Sequence, residues 1–489
     1  MKRTIYTSVS ALALFAAAPA LAQNNTSAVN QAGTNATATI MQGGSNSDSS
    51  VTQGGDGNDT TVNQNGSVTG ASSSVSQTGN DNTANVTQTD DGTGFDPTQS
   101  SSIDQSGSGN TADVTQTQKT AFAPVPPGTK NTSAVTQSGN NNSATLNQQD
   151  DDQASSILQS SDGNTATVAQ GDNAAPEGSS LGTTYNNTSY VTQGGTGGNS
   201  ATVAQAGTDG LSSVNQGGGN NGASVTQSGG SFNNSAVDQG GMDNAATVNQ
   251  SGNSNSSGVN QSGDFNLATA NQTGNSNSSS IGQTTNENEA IVNQTGDGNS
   301  SSVNQASASD PSYGYYTGGD TSGYANVSQS GTGNSSAVAQ SGVSNIAEIQ
   351  QVGSGNSSSV DQSGTGTYAE VQQIGADNVS TVNQSGTLNS YNVNFEVQQT
   401  GNRNISSLNQ TGFIVSADVL QSGDDNISSI DQGGSSNYAT LTQSGNGNLS
   451  GIAQSGNGNN AYVTQSSNTN ISGVNQSGNN NTATVTQGM

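Results

Sequence analysis

Cysteine, histidine and tryptophan do not occur among the 489 residues. Without cysteine or histidine the chain cannot assemble a zinc centre, nor a nucleophile activated by an imidazole. No disulfide can brace it, although exported proteins are free to use them. Hydrophobic residues make up only 27% and aromatic residues 4%, where globular chains are nearer half apolar. A chain of this length therefore cannot fill several oily cores. Positive charge is almost missing: five Lys and Arg stand against 33 Asp and Glu. Binding a phosphate backbone needs clustered Lys and Arg, so nucleic acid is excluded as a direct partner.

The stretch from Met1 to Ala22 differs from the rest. Lys2 and Arg3 precede an apolar run from Val9 to Ala18, and Ala20-Leu21-Ala22 has the small-residue pattern of a cleavage site. The run is far short of the ~20 residues that span a bilayer. Residues 1–22 read as a secretory signal, and 23–489 as the exported product. No second apolar stretch follows, so the product is not expected to span a membrane. It keeps three basic residues against 33 acidic ones, a net charge of −30, which holds free chains apart.

What dominates is Gly, Ser, Asn and Gln, a mixture that as bulk composition stays disordered. Register overrides composition. From Gln31 the matching glutamines run through Gln42, Gln53 and Gln64 to Gln487; there are 38, and 29 of the 37 gaps are 11 residues. Two positions before every glutamine stands Val, Ile or Leu, with Ala270 the one exception. Four positions before, the glutamines alternate between two classes: all 19 of one class have Ser, and 17 of 19 of the other have Ala. Six positions before, 28 of 38 are Asn, and two positions after a first-class glutamine 16 of 19 are Gly. The unit holds one glutamine of each class and occurs 19 times.

The recurrent residues lie at even offsets, so in a strand they share one face. Helical spacing would need apolar residues at three and four, and none recurs. The chain is read as all-β: a β-solenoid, or cross-β stack, of strand-turn-strand units that form two facing parallel sheets. Gly and Asn are expected at the turns for the positive φ they tolerate. Nineteen rungs at ~4.8 Å make a column of roughly 90 Å. Val and Ser or Ala suit a narrow interior, but the buried amides must be hydrogen-bonded or they cost more than the valines contribute. Like amides stacked along the column meet that demand. The expected ladder includes Gln31, Gln42, Gln53, Gln64, Gln137, Gln148, Gln227, Gln250, Gln476 and Gln487, with Asn131, Asn142, Asn470 and Asn481. Ser27, Ser133, Ser472, Ala144 and Ala483 are expected to face the same interior, and outward positions such as Thr484, Thr486, Asp361 and Tyr462 to meet solvent.

Pro97, Pro124, Pro126, Pro127, Pro176 and Pro311 all fall where the glutamine spacing stretches. Proline cannot donate to a ladder, so loops leaving the column are expected near 89–98, 117–130, 171–186 and 306–322. Paired carboxylates at Asp90-Asp91, Asp150 to Asp152 and Asp424-Asp425 sit in or beside turns, not in the desolvated pocket that acid–base catalysis needs. No catalysis, cofactor or metal is expected.

The repeat resembles the curlin-associated repeat of bacterial curli fibre subunits, whose pattern is close to Ser-x5-Gln-x4-Asn-x5-Gln. Ser47 to Gln53 and Asn58 to Gln64 match it outright; Asn131 to Gln137 and Asn142 to Gln148 match it with Asn first. The resemblance implies a secreted structural subunit of extracellular amyloid fibres on the bacterial surface. It also implies export by the outer-membrane curli secretion channel, a nucleator subunit as partner, and roles in biofilm matrix, adhesion and surface colonisation. The competing reading is a monomeric solenoid adhesin. Such a monomer needs end caps, whereas the first strand is expected three residues after the cleavage site and the last, Asn481 to Gln487, is followed by Gly488 and Met489 alone. Both ends are therefore expected to be open edges.

Overall fold

A computed structural model describes residues 24–66, 70–90, 99–118, 130–149, 152–171, 186–307, 323–389 and 396–488. The signal at 1–22, all six of the loop prolines and the greater part of each expected loop lie outside the described residues.

Period-two alternation and β-branched residues favour strands over any other element. The described chain forms 38 strands, numbered in order from β1 (Thr26–Gln31) and β2 (Thr37–Gln42) to β37 (Ile471–Gln476) and β38 (Thr482–Gln487). Odd-numbered strands make one parallel sheet of 19 and even-numbered strands the other. Each strand pairs in register with its counterpart in the next repeat unit. Val51 lies between Val29 and Val75, and Gln53 between Gln31 and Gln77. Among the described residues no pairing joins β38 back to β2, so the even sheet is open like the odd one. The result is a β-solenoid of two facing sheets.

Burial follows the period of two. In β3 (Asp48–Gln53) alternate residues are exposed and buried from first to last. Val, Ile and Leu two before the glutamines form one continuous core with the alanines of the even sheet. Each buried valine stabilises the column by about 1.5 kcal/mol. The prediction that fixed residues face a common interior and variable ones face outward describes this arrangement.

The expected Gly and Asn do take positive φ at the turns, as at Gly296, Gly298 and Asn141, but other residue types share the role. In most described turns a left-handed residue stands four after the glutamine, and it is often not glycine: Asn35, Asn46, Asp81 and even Ile414 stand there with φ near +55°. The recurrent glycine two after a first-class glutamine is left-handed at some rungs, as at Gly55 and Gly456, and at the others answers to rung spacing. A Cβ on Gly107 would sit 1.8 Å from the Gly139 carbonyl oxygen of the next rung. Two of the expected excursions also begin later. β6 (Thr83–Asp90) and β8 (Thr111–Gln118) pair as far as Asp90 and Gln118, inside the segments expected to leave the column. No helix among the described residues is long and apolar enough to cross a membrane.

Candidate assembly surfaces

The interior glutamines do two jobs at once. Gln53 Nε2 donates to Gln77 Oε1 at 2.9 Å, which continues the column, and to the Thr37 carbonyl at 2.9 Å, which crosses to the other sheet. Gln227 does the same toward Gln250 and the Leu211 carbonyl, both at 2.9 Å, while accepting from Gln205 Nε2 at 2.9 Å. The direction never reverses: Gln31 donates to Gln53, Gln42 to Gln64, Gln64 to Gln88, Gln137 to Gln159, Gln148 to Gln170 and Gln250 to Gln272. At the C-terminal end Gln454 donates to Gln476, and Gln465 to Gln487. The cross-sheet bond was not foreseen from the sequence. Its signal is the pairing of a glutamine with the first residue of the preceding strand, which a one-strand reading does not display.

The asparagines depart from a simple amide-on-amide ladder. Asn142 Oδ1 accepts from the backbone N–H of Asn164 at 2.8 Å as well as from its Nδ2 at 3.1 Å. Asn470 and Asn481 donate to Asn448 and Asn459, both at 3.0 Å. Their donation runs toward the N-terminal end, opposite to that of the glutamines. Asparagine Nδ2 groups also tie down the next turn, as Asn82 does to the Gly107 carbonyl at 2.8 Å. Asn131 has no asparagine above it; its Oδ1 accepts from the backbone of Gln153 at 3.0 Å. The column at that position carries Gln99, Asn131 and Gln153, so like does not stack on like there.

The serines overturn another expectation. Full satisfaction of buried polar groups was anticipated, and the amides largely meet it. Some hydroxyls pair, as Ser49 with Ser73 at 3.2 Å and Ser472 with Ser450 at 2.9 Å. Those of Ser101, Ser155, Ser189, Ser212, Ser301 and Ser336 are buried with no partner among the described residues. Elsewhere a serine hydroxyl does meet a glutamine across the interior, as Ser472 accepts from Gln465 Nε2 at 3.3 Å; these six do not. Ser133 is buried at the same phase, as is Ala144 opposite.

Both ends expose this interior. Ser27 and Gln31 of β1 are exposed, Gln42 is half-buried, and Val29 shows 49% of its surface. At the other end Ser472, Ala483 and Gln487 are half-buried, while Gln476 is covered. Gln476 and Gln487 keep their cross-sheet bonds, to the Asn460 and Ile471 carbonyls at 3.0 and 2.9 Å. Among the described residues β1 pairs only with β3 and β38 only with β36 (Asn460–Gln465). Each end therefore presents strand-edge groups and an apolar residue at the phase that is buried everywhere inside.

Most of the charge sits on the outside; among the described residues the exception is the buried Glu396, whose Oε1 accepts from Gln384 Nε2 at 2.9 Å. The Arg403 guanidinium, paired with Asp425 at 2.7 Å one rung on, holds that carboxyl below its usual range. The Thr34 hydroxyl and backbone N–H lower Asp56 likewise. On the even sheet Glu348 and Glu370 lie in register on neighbouring rungs, and the Tyr368 hydroxyl reaches both, at 3.2 and 2.9 Å. Burial raises Glu370, with the Glu348 charge adding to it and the tyrosine bond opposing. Burial and the same carboxylates push the Tyr368 hydroxyl upward. Burial also raises Asp418.

No curated protein matches the chain. Residues 252–284, 416–445 and 434–466, which include complete rungs of the column, match the family model of the curlin associated repeat, and the chain carries the repeat of that family.

Proposed function

We propose that the chain is a structural subunit of extracellular curli-type amyloid fibres, exported across the cell envelope and assembled end to end at the bacterial surface. The observation that carries this reading is the phase of the two exposed ends. Setting β37 and β38 of one copy against β1 and β2 of the next brings Gln476 beneath Gln31 and Gln487 beneath Gln42, and covers Val29. The glutamine ladder would run on without a break, and an existing tip spares the incoming chain the cost of nucleating its first rung. The family supports a structural role without catalysis. A nucleator subunit and an outer-membrane secretion channel belong to the same proposal, as do the roles in biofilm matrix, adhesion and surface colonisation.

The test is incubation of the mature chain, residues 23–489, with and without preformed seeds. Thioflavin-T growth accelerated by seeds, and a fibre reflection near the ~4.8 Å rung spacing, are expected. A chain that stays monomeric in sedimentation with seeds present refutes fibre assembly and leaves the monomeric adhesin.

A further inference from the structure

The first outward position of the odd strands is polar or small along most of the column, with Thr188, Asn234, Ser278 and Ser300 as examples. In the last five odd strands it turns aliphatic. Val379, Ile405, Ile427, Leu449 and Ile471 stack in register from rung to rung. All five are exposed, from 38% at Val379 to 70% at Ile471. They form a ridge about 19 Å long at ~4.8 Å per step. The second outward position beside them is small throughout: Thr381, Ser407, Ser429, Gly451 and Gly473. The two glycines open a shallow hollow that reaches down to Ile452 and Val474. At the outward positions of these five strands only Asp431 is charged, in a chain with 33 acidic residues. An aliphatic ridge beside a groove, with Asp431 alone charged at its strand positions and Asp377, Arg403 and Asp425 confined to the turns at its edge, has the form of one half of a dry interface between paired sheets.

We infer that this ridge and groove pair two columns side by side, the occupant being the same face of a second copy of this chain. The rung repeat selects the partner, because a ridge stepping at ~4.8 Å is matched knob for hole only by a surface with that step. A two-fold axis parallel to the column, midway between the two positions, lays each ridge on the other copy's groove, so the contact is self-complementary. It sets Ile427 of one copy opposite Ser429 of the other, and Leu449 opposite Gly451. Five half-exposed aliphatic side chains bury well under the ~800 Å² per partner of a stable complex. Free chains therefore pair weakly. A fibre repeats the patch once per subunit, and pairing becomes strong through multivalency. The residue contacts are independent of the fibre reading; their strength in a fibre rests on it.

The test replaces Ile405, Ile427, Leu449 and Ile471 together by Ser, the residue other rungs carry at that position. Electron microscopy is expected to show paired columns for the unaltered chain and single columns for the variant, with thioflavin-T half-times within about twofold. Equal widths overturn the pairing. If the variant does not fold, Ile427→Cys and Ser429→Cys chains, each otherwise unaltered, decide. Mixed and treated with a short bis-maleimide, they should cross-link several-fold more than either alone; equal yields overturn the proposal. If neither chain makes fibres, the fibre reading fails separately, and sedimentation equilibrium of the soluble chain at high concentration decides the pairing. Weak dimers lost in the four-serine variant support it, and monomers throughout overturn it.

Discussion

Replacing Gln227 by Leu isolates the interior amide from everything else. The side chain is buried, sits in β16 (Gly222–Ser231), and holds Gln250 Oε1, the Leu211 carbonyl and Gln205 Nε2 at 2.9 Å each. Leucine has a similar volume, so no cavity opens. Gln250 Oε1 loses the donor from the rung below, while Gln205 Nε2 keeps its bond to the Thr188 carbonyl at 3.1 Å. An orphaned buried polar atom costs ~1–3 kcal/mol and each further lost bond about 1 kcal/mol; the added apolar burial offsets ~1 kcal/mol. The net loss is roughly 2–3 kcal/mol, which raises local opening about 30- to 150-fold at 1.4 kcal/mol per decade. Hydrogen exchange read by mass spectrometry should show this loss of protection in β16 and its neighbours β14 (Ser200–Thr208) and β18 (Ala245–Ser251). Thr226→Ala, one residue away on the outward face, should change protection by no more than about twofold, as exposed substitutions stay within ~0.5 kcal/mol. Equal protection in the two variants would refute the argument that the glutamines hold the column together.

Ser212→Ala removes a buried hydroxyl that has no partner, so the same exchange measurement should show its rungs more protected, by about 1–2 kcal/mol; weaker protection would reveal an unrecognised bond. Gly107→Ala drives a methyl into the Gly139 carbonyl and should open the rungs on either side, whereas Gly54→Ala meets nothing within 4 Å and should be silent in the same assay. Glu370 is held above its ordinary value, so the folded state binds its proton more tightly than the unfolded chain does. Stability should accordingly rise as pH falls through the raised value toward the ordinary glutamate range. Below that, the lowered Asp56 and Asp425 are protonated in turn and their contributions are lost. Glu370→Gln should flatten the rise between pH 7 and 4.5 in urea unfolding at stepped pH, and an unchanged profile would count against it. Arg403→Ala breaks an exposed ion pair and should leave urea resistance unchanged at 0.15 M salt, since solvent screens such pairs.

The strand phase was legible because three residue types recur at fixed even offsets. A one-residue slip would turn Val51, Ser49 and Gln53 outward together, and no other register buries them. Sheet pairing followed from the same repeat, because Val29, Val51 and Val75 must stack if each unit covers the next. Interactions between positions that do not share a column stayed hidden. Gln53 reaches the Thr37 carbonyl through the interior, and nothing in a linear pattern says which strand start faces which strand end. The constraint on Gly107 stayed hidden for a similar reason, since the crowding comes from Gly139 on the next rung and not from its own backbone angles. The serines carried the strongest signal of all, 19 of 19, yet in the column several hydroxyls serve no visible bond. Their constancy has no explanation in the folded packing.

The glutamine amides aim their N–H groups toward the C-terminal end of the column, and the asparagine amides aim their carbonyl oxygens the same way. A single file of aligned dipoles would sum along its length, as peptide dipoles do in a helix, and each added copy would make the stack more polar. Two counter-running files oppose one another, with asparagine at 28 of the 38 matching positions. In a fibre assembled as proposed, the column would lengthen with far less axial field than a single file would build, so late subunits would meet much the same electrostatic environment as early ones.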